Sequence, residues 1–330
     1  MTDERSSSID SVKGLCILHM LLLHLTIIYG YVNFNGDGAG LYFHLMEFFM
    51  IPFYLFSGYF FSSRKPFKEF VKHKARKLLV PLAFWSIVSL PVFYASRYLV
   101  NGNIQWAEPF KMFLSIGSLY SDSTLWFLFS LFFVNVIFYI ASKKLQNERL
   151  LFLFIVLCFA YALLDRYILP CYFSSSNISL GLVYFYIGYK MKMLNERKEV
   201  IDVRCFVVVL LIFILISIFN PQWMQIVDLT QTEGLFTLNL VYALSGTYIL
   251  WFLFSKLPNS RILSYFGRNS MTYYVWHMIP LRLIYDPVVK IFFPQASYGQ
   301  YVILGGGIIL LTGWLIDKFA KRYCPSIIGI

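Results

Sequence analysis

The chain has 330 residues, 58% of them hydrophobic and 20% aromatic, with a mean hydropathy of +0.65 and a formal net charge of +11. That is more apolar surface than one soluble core can hide, so the composition excludes an ordinary soluble globule and points to a bilayer. The charge is not a nucleic-acid signature, because the aromatics lie in apolar runs instead of alternating with basic residues along a groove.

In chain order, apolar runs bounded by polar, Pro or Gly clusters predict spans near 12–31, 41–61, 78–99, 124–141, 150–169, 178–193, 203–220, 234–255, 269–286 and 299–317. The first run is longer than a signal peptide and no small-residue cleavage site follows it, so it reads as a retained helix. No internal repeat is visible, and the whole chain, 1–330, reads as a single polytopic domain. With the N-terminus inside, 23 of the 28 Lys and Arg residues fall on the cytoplasmic side, seven of them between Arg64 and Lys77. Basic residues in short loops mark that side, and so uneven a split fits an even number of spans. The predicted fold is an all-α integral membrane protein, a bundle of about ten transmembrane helices with both termini cytoplasmic.

The longest outer connection, roughly 100–123, carries Trp106, Phe110, Phe113 and Leu114 at near-helical spacing. It reads equally as an amphipathic helix along the membrane face or as a loop packed on the bundle. Tyr42, Trp85, Trp126, Tyr161, Trp223 and Trp251 lie near span ends, where an interfacial aromatic belt is the default reading and sugar stacking the alternative. The five cysteines have no paired spacing, support neither disulfides nor a zinc site, and read as small packing residues.

The first span poses the chemical question. Lys13 and His24 are eleven residues apart, three helical turns plus about 20°, so they share a face with a rise of about 16 Å between them. His19 is turned about 140° from His24 and points elsewhere. The bland alternative stands beside this reading: Lys13 snorkels to the headgroups and the histidines bond neighbouring helices. Asp10 reads as an N-cap or an i,i+3 partner of Lys13.

This start resembles the acyltransferase 3 family, whose first span carries Arg or Lys, ten residues, then His; here Lys13 and His24 follow Ile9-Asp10. FSGYFF places Ser57-Gly58 before a basic stretch, and KHKARKLLVP places Arg76 and Lys77 ahead of Pro81. YFGRNSMTYYVWH supplies Gly267, Asn269, Ser270, Tyr274 and His277, and LWFLFSLFF supplies Trp126. Met50-Ile51-Pro52 stands where many relatives have His-x-Pro, so His44 does not inherit that role. The chain also stops soon after the tenth span, which implies a stand-alone form without the soluble esterase-like domain of many relatives.

The resemblance implies a multi-pass enzyme of a bacterial inner (cytoplasmic) membrane. It would move an acyl group, usually acetyl from acetyl-coenzyme A, to a hydroxyl of a surface polysaccharide or lipid-linked sugar. Acetyl-CoA would be a substrate and no cofactor would be bound. His24 is the expected base, since an imidazole is suited to taking a sugar hydroxyl's proton during attack on a thioester. Lys13 is the second expected catalytic residue. Arg76, Lys77 and Arg64, within the basic loop 64–77, are the expected donor-binding residues, although a cytoplasmic loop is basic in any case and attracts anionic lipids. His277 is expected near the depth of His24, orienting the acceptor or stabilising the oxyanion, with a plain core histidine as the rival. Glu47, Ser57, Trp126 and Asp10 complete the supporting set. Glu47 and His44 would sit one turn apart, and Asp165-Arg166 reads as an interfacial pair. Expected partners are the glycan acceptor, membrane lipids and polysaccharide-synthesis machinery, but no nucleic acid. The runner-up is a transporter of a lipid-linked glycan using the same intramembrane ionisable residues, against which stands the absence of repeated halves.

Overall fold

The computed structural model describes residues 7–29, 45–111, 113–119, 124–167, 172–196, 203–219, 236–282, 289, 292–293 and 295–330. Among these there is helix and no strand. The helices are α1 (Ser7–Tyr29), α2 (Ile51–Tyr59), α3 (Phe67–Asn101), α4 (Trp126–Lys144), α5 (Glu148–Tyr167), α6 (Ser175–Glu196), α7 (Val203–Phe219), α8 (Phe236–Lys256), α9 (Arg261–Arg268), α10 (Ser270–Trp276) and α11 (Tyr298–Tyr323). A 3-10 turn, Pro325–Ile328, follows. Five helices among the described residues are long and apolar enough to cross a membrane: α1, α3, α4, α8 and α11. At 17 residues, α7 is apolar but shorter.

Each expected span has a helical counterpart, yet three depart from a simple rod. Among the described residues of span two, the continuous helix is the nine residues of α2, with Pro52 in its first turn, where a missing N–H costs nothing. Ahead of it the N–H groups of Phe49, Ile51 and Phe53 donate to carbonyls three residues back, so residues 46–50 run as tight turns. Span nine is preceded by α9 and interrupted at Asn269, where φ is −103° and ψ 16°.

The third departure corrects the basic loop. Residues 67–77 are the first three turns of α3, one continuous helix of 35 residues that passes through Pro81 and Pro91. Pro66 occupies its N-cap and Gly102, in the left-handed region at φ 68°, closes it. The basic residues are therefore held on a rod. In the outer connection, Glu108–Lys111 and Phe113–Ile116 are helical on either side of residue 112, which lies outside the described residues, and Arg97 Nη2 donates to Glu108 Oε1 at 2.9 Å.

The core gathers around α1, which packs against α2, α8, α9, α10 and α11. Two helix crossings rest on glycine pairs. A Cβ on Gly14 would lie 2.7 Å from the carbonyl carbon of Leu263, and one on Gly267 would lie 2.6 Å from that of Asp10, so α1 and α9 meet backbone to backbone. Gly58 and Gly188 do the same for α2 and α6, each Cβ falling 2.7 Å from a carbonyl carbon, of Phe185 and Leu55 respectively. Small residues that let backbones touch are the usual means of joining helices where lipid offers no hydrophobic drive between them. This gives Gly58 and Gly267 a packing reason for their places in the motifs.

Three of the aromatic residues expected in an interfacial belt are core residues instead. Trp85, Trp126 and Trp251 are buried, with Trp85 edge-on to Trp276 and Trp251 edge-on to Phe56 and Tyr59. In an aromatic-rich chain such edge-to-face pairs fill the interior, which outweighs residence at the surface. Tyr42 and Trp223 lie outside the described residues. Of the cysteines, Cys16 packs in the core, whereas Cys205 and Cys324 are exposed; Cys171 lies outside the described residues.

Candidate functional site

The helix-face argument on α1 has a geometric counterpart. Lys13 lines a cavity of about 360 Å³ together with Ile17, one turn on. His24, farther along the helix, is buried with its ring centroid 4.9 Å from that of His277 and the planes inclined at 39°. His19 is also buried but lies against Phe49, 5.1 Å between centroids. Its face is thus covered by protein.

His277 follows α10 with helical backbone angles, φ −57° and ψ −36°. His277 Nδ1 is 2.7 Å from the carbonyl oxygen of Tyr274. A carbonyl can only accept, so Nδ1 carries the proton and the neutral ring has its lone pair at Nε2. That Nε2 is buried and has no hydrogen-bond partner among the described residues. In this tautomer His277 is a proton acceptor. The oxyanion-donor role left open by the sequence would require the doubly protonated ring.

Four cations line the cavity: Lys13 from α1, Lys74 and Lys77 from α3, and Arg268 from the end of α9. Lys74, Lys77 and Leu78 share one face of α3 at i, i+3 and i+4 spacing, which is why this helix presents two lysines and an apolar residue together. Ser57, Ser270 and Asn135 supply polar groups, and Ile17, Phe56, Leu128 and Leu131 supply apolar wall. Asn135 is buried in α4, its Nδ2 donating to the Leu131 carbonyl at 2.8 Å and its Oδ1 without a partner among the described residues.

Tyr274 links the cavity to the histidines. It lines the cavity, offers its carbonyl to His277, and its hydroxyl donates to the Thr124 carbonyl at the start of α4. The segment carrying it is tied down by a polar network. Thr272 Oγ1 donates to Asp317 Oδ1 at 3.0 Å, and Lys321 Nζ bridges Asp317 Oδ2 at 2.7 Å and Asn269 Oδ1 at 2.5 Å. Asp317 is buried, and its pairing with Lys321 spares an isolated buried charge.

Of the expected site residues, the cavity collects Lys13, Ser57 and Lys77, and the histidine pair collects His24 and His277. Arg64 is exposed in the segment before α3, away from the cavity lining. Arg76 is turned aside toward the C-terminal turn, donating from Nε and Nη2 to Ser326 Oγ at 3.3 and 3.2 Å. Asp10 is buried within the first turn of α1, three residues past its start, and so is not the N-cap. Glu47 lies half-buried in the turns before α2, and Trp126 is buried at the first position of α4. None of these last three lines the cavity. His44 lies outside the described residues, as do the side chains of Asp165 and Arg166. Sequence reasoning missed Lys74, Arg268 and Asn135; for Asn135 the signal was a lone amide in an apolar span, where a buried polar group is costly.

A helical bundle with several membrane-length helices, a cationic cavity and a buried imidazole pair beyond it defines a membrane-embedded protein built around an interior polar site. Residues 6–317 match the model of the acyltransferase 3 family, described as an acyltransferase domain, and the chain belongs to that family. No curated protein and no solved structure matches it. Family and apolar helices together make it a membrane acyltransferase.

Proposed function

We propose that the protein takes an acyl group, acetyl in the simplest case, from acyl-coenzyme A and transfers it to a hydroxyl of a surface polysaccharide or lipid-linked sugar. The observation that carries this reading is the cavity in which Lys13, Lys74, Lys77 and Arg268 converge, on the same helix α1 that leads to His24 and His277. Four cations, with no acid among the described lining residues, suit a donor that carries several phosphates.

In the proposed step, the acceptor oxygen attacks the thioester carbonyl carbon while His24 takes the hydroxyl proton. The tetrahedral intermediate collapses as the carbon–sulfur bond breaks, leaving the ester and coenzyme A thiolate, which recovers the proton from His24. His277, with its Nε2 lone pair facing no protein donor among the described residues, is a second acceptor within the pair. Lys13 binds the anionic donor and fixes the register of α1.

The excess of basic residues on one side supports ten spans, cytoplasmic termini and donor entry from the cytoplasm, in the inner membrane of a bacterium. Polysaccharide-synthesis machinery would then supply or receive the glycan. The direct test incubates the purified protein with radiolabelled acetyl-coenzyme A and membrane glycolipids. Label in the glycan supports the reading; release of coenzyme A to water alone, or no turnover, refutes it.

A further inference from the structure

The family match ends at residue 317, yet the residues after α11 return to the cavity. The turn Pro325–Ile328 packs on α3 and is held there at two points: Trp85 Nε1 donates to the Ile327 carbonyl at 2.7 Å, and Arg76 donates twice to Ser326 Oγ. Ile328 is buried. Gly329, at φ 72°, lies so close to α3 that a Cβ there would be 2.5 Å from the Lys77 carbonyl oxygen, and it lines the cavity beside Lys77 and Met271. Only glycine takes this backbone conformation without strain while fitting that space.

The chemistry of the Arg76 contact is informative. Guanidinium has five N–H donors and keeps its charge at any physiological pH. Ser326 engages one N–H on Nε and one on Nη2 through a neutral hydroxyl, so it orients the group without cancelling its charge and leaves three donors for another acceptor. A carboxylate in the same place would make a stronger clasp and a weaker anion site.

We propose that the segment Pro325–Gly329 is a wall of the donor site, and that Ser326 is a positioning residue that aims Arg76, which stands outside the cavity lining, at the phosphates of a coenzyme A donor. This rests on the donor reading above. Arg76 is already expected at the donor from the resemblance; what is new is the turn, outside the family match, that would set it.

The test is calorimetric titration of coenzyme A, and separately of uncharged pantetheine, into the detergent-solubilised full chain and its variants. Ser326→Ala should weaken coenzyme A binding about threefold and Ser326→Thr should restore it. Ser326→Asp should weaken it about tenfold while leaving pantetheine binding unchanged, because the carboxylate neutralises Arg76. If the turn were only a structural clasp, the aspartate would strengthen it and binding would be retained; coenzyme A affinity at the wild-type level in Ser326→Asp overturns the proposal. A stop after Cys324 should also weaken binding, and tighter binding would make the turn a plug and not a wall. Should the truncated chain fail to fold, the Ser326 series decides the matter. Failure of the wild-type protein to bind coenzyme A at all would instead sink the donor reading itself.

Discussion

Replacing Gly267 with Ala places a methyl carbon 2.6 Å from the carbonyl carbon of Asp10 and 3.0 Å from its Cα. Carbon atoms pack at about 3.5–4.0 Å, so α1 and α9 must separate by about 1 Å at their crossing. Neither helix can yield locally, because the obstruction is backbone on backbone and no side chain can rotate away. Forcing extra volume into a packed contact costs about 1–3 kcal/mol. The displacement also falls between Lys13 and Arg268, two cations of the cavity, and errors of about 1 Å in a binding constellation can cost two orders of magnitude in rate. The thermal midpoint in detergent and the rate of acyl transfer should therefore both fall for Gly267→Ala and for Gly14→Ala. The double variant should be less than additive, since the second methyl enters a gap the first has opened. Gly307→Ala is the control: among the described residues nothing beyond its own turn of helix lies within 4 Å of its Cβ, so removing a helical glycine should raise stability by about 0.4–1 kcal/mol. Wild-type midpoint and turnover in Gly267→Ala would refute the view that this close approach shapes the site.

Three further outcomes are expected. His24→Ala should lower acyl transfer by about 10²- to 10⁴-fold at comparable membrane expression, whereas His19→Ala, which empties a space against Phe49, should lower stability while the folded fraction turns over normally; the reverse pattern in labelled-acetyl assays would break the helix-face argument. Lys77→Gln and Arg268→Gln should each raise the KM for donor with little change in kcat, Lys13→Arg should be tolerated better than Lys13→Ala, and Arg64→Gln should leave the donor KM unmoved, all read from initial rates against acetyl-coenzyme A concentration. Reporter fusions at both termini should report cytoplasm and fusions near residues 110 and 228 the opposite side; an external C-terminus would overturn the ten-span reading.

Helix periodicity alone aligned Lys13 and His24 in the sequence; the structure puts Lys13 on the cavity and His24 beside His277, outside the lining. The approach of His277 followed less directly, from equal depth in two spans; its tautomer did not follow at all, because the carbonyl that sets it comes from the backbone of Tyr274. Within the basic stretch, Arg76, Lys77 and Arg64 were singled out by resemblance and not by helix face, because the third span was drawn only from residue 78. With the helix drawn back through Pro81 to Phe67, Lys74, Lys77 and Leu78 fall on one face and Arg76 on another, and the sequence itself would have separated them. Arg268 was hidden for a different reason. It sits beside Gly267, which meets α1 backbone to backbone, and both line the cavity. The burial of Trp85, Trp126 and Trp251 shows the limit of reading position along a span as depth, since a ring near a span end can still point inward.

The placement of Lys13 at the cavity and of His24 beside His277 makes α1 a ruler. The eleven-residue interval spans about 16 Å of helix. Polyanions lose hydration at great cost on entering an apolar interior, so the charged part of a donor is best left at the lysine end. What must cover the remaining distance is an uncharged arm carrying the acyl group at its tip. A short anionic acyl donor, such as an acyl phosphate, holds its reactive carbonyl next to its charge and could satisfy the cations or reach the histidines, but not both. On the proposed donor reading, the chain would measure its donor by length as well as by charge, and lengthening or shortening α1 by one turn between Lys13 and His24 would change which donor fits.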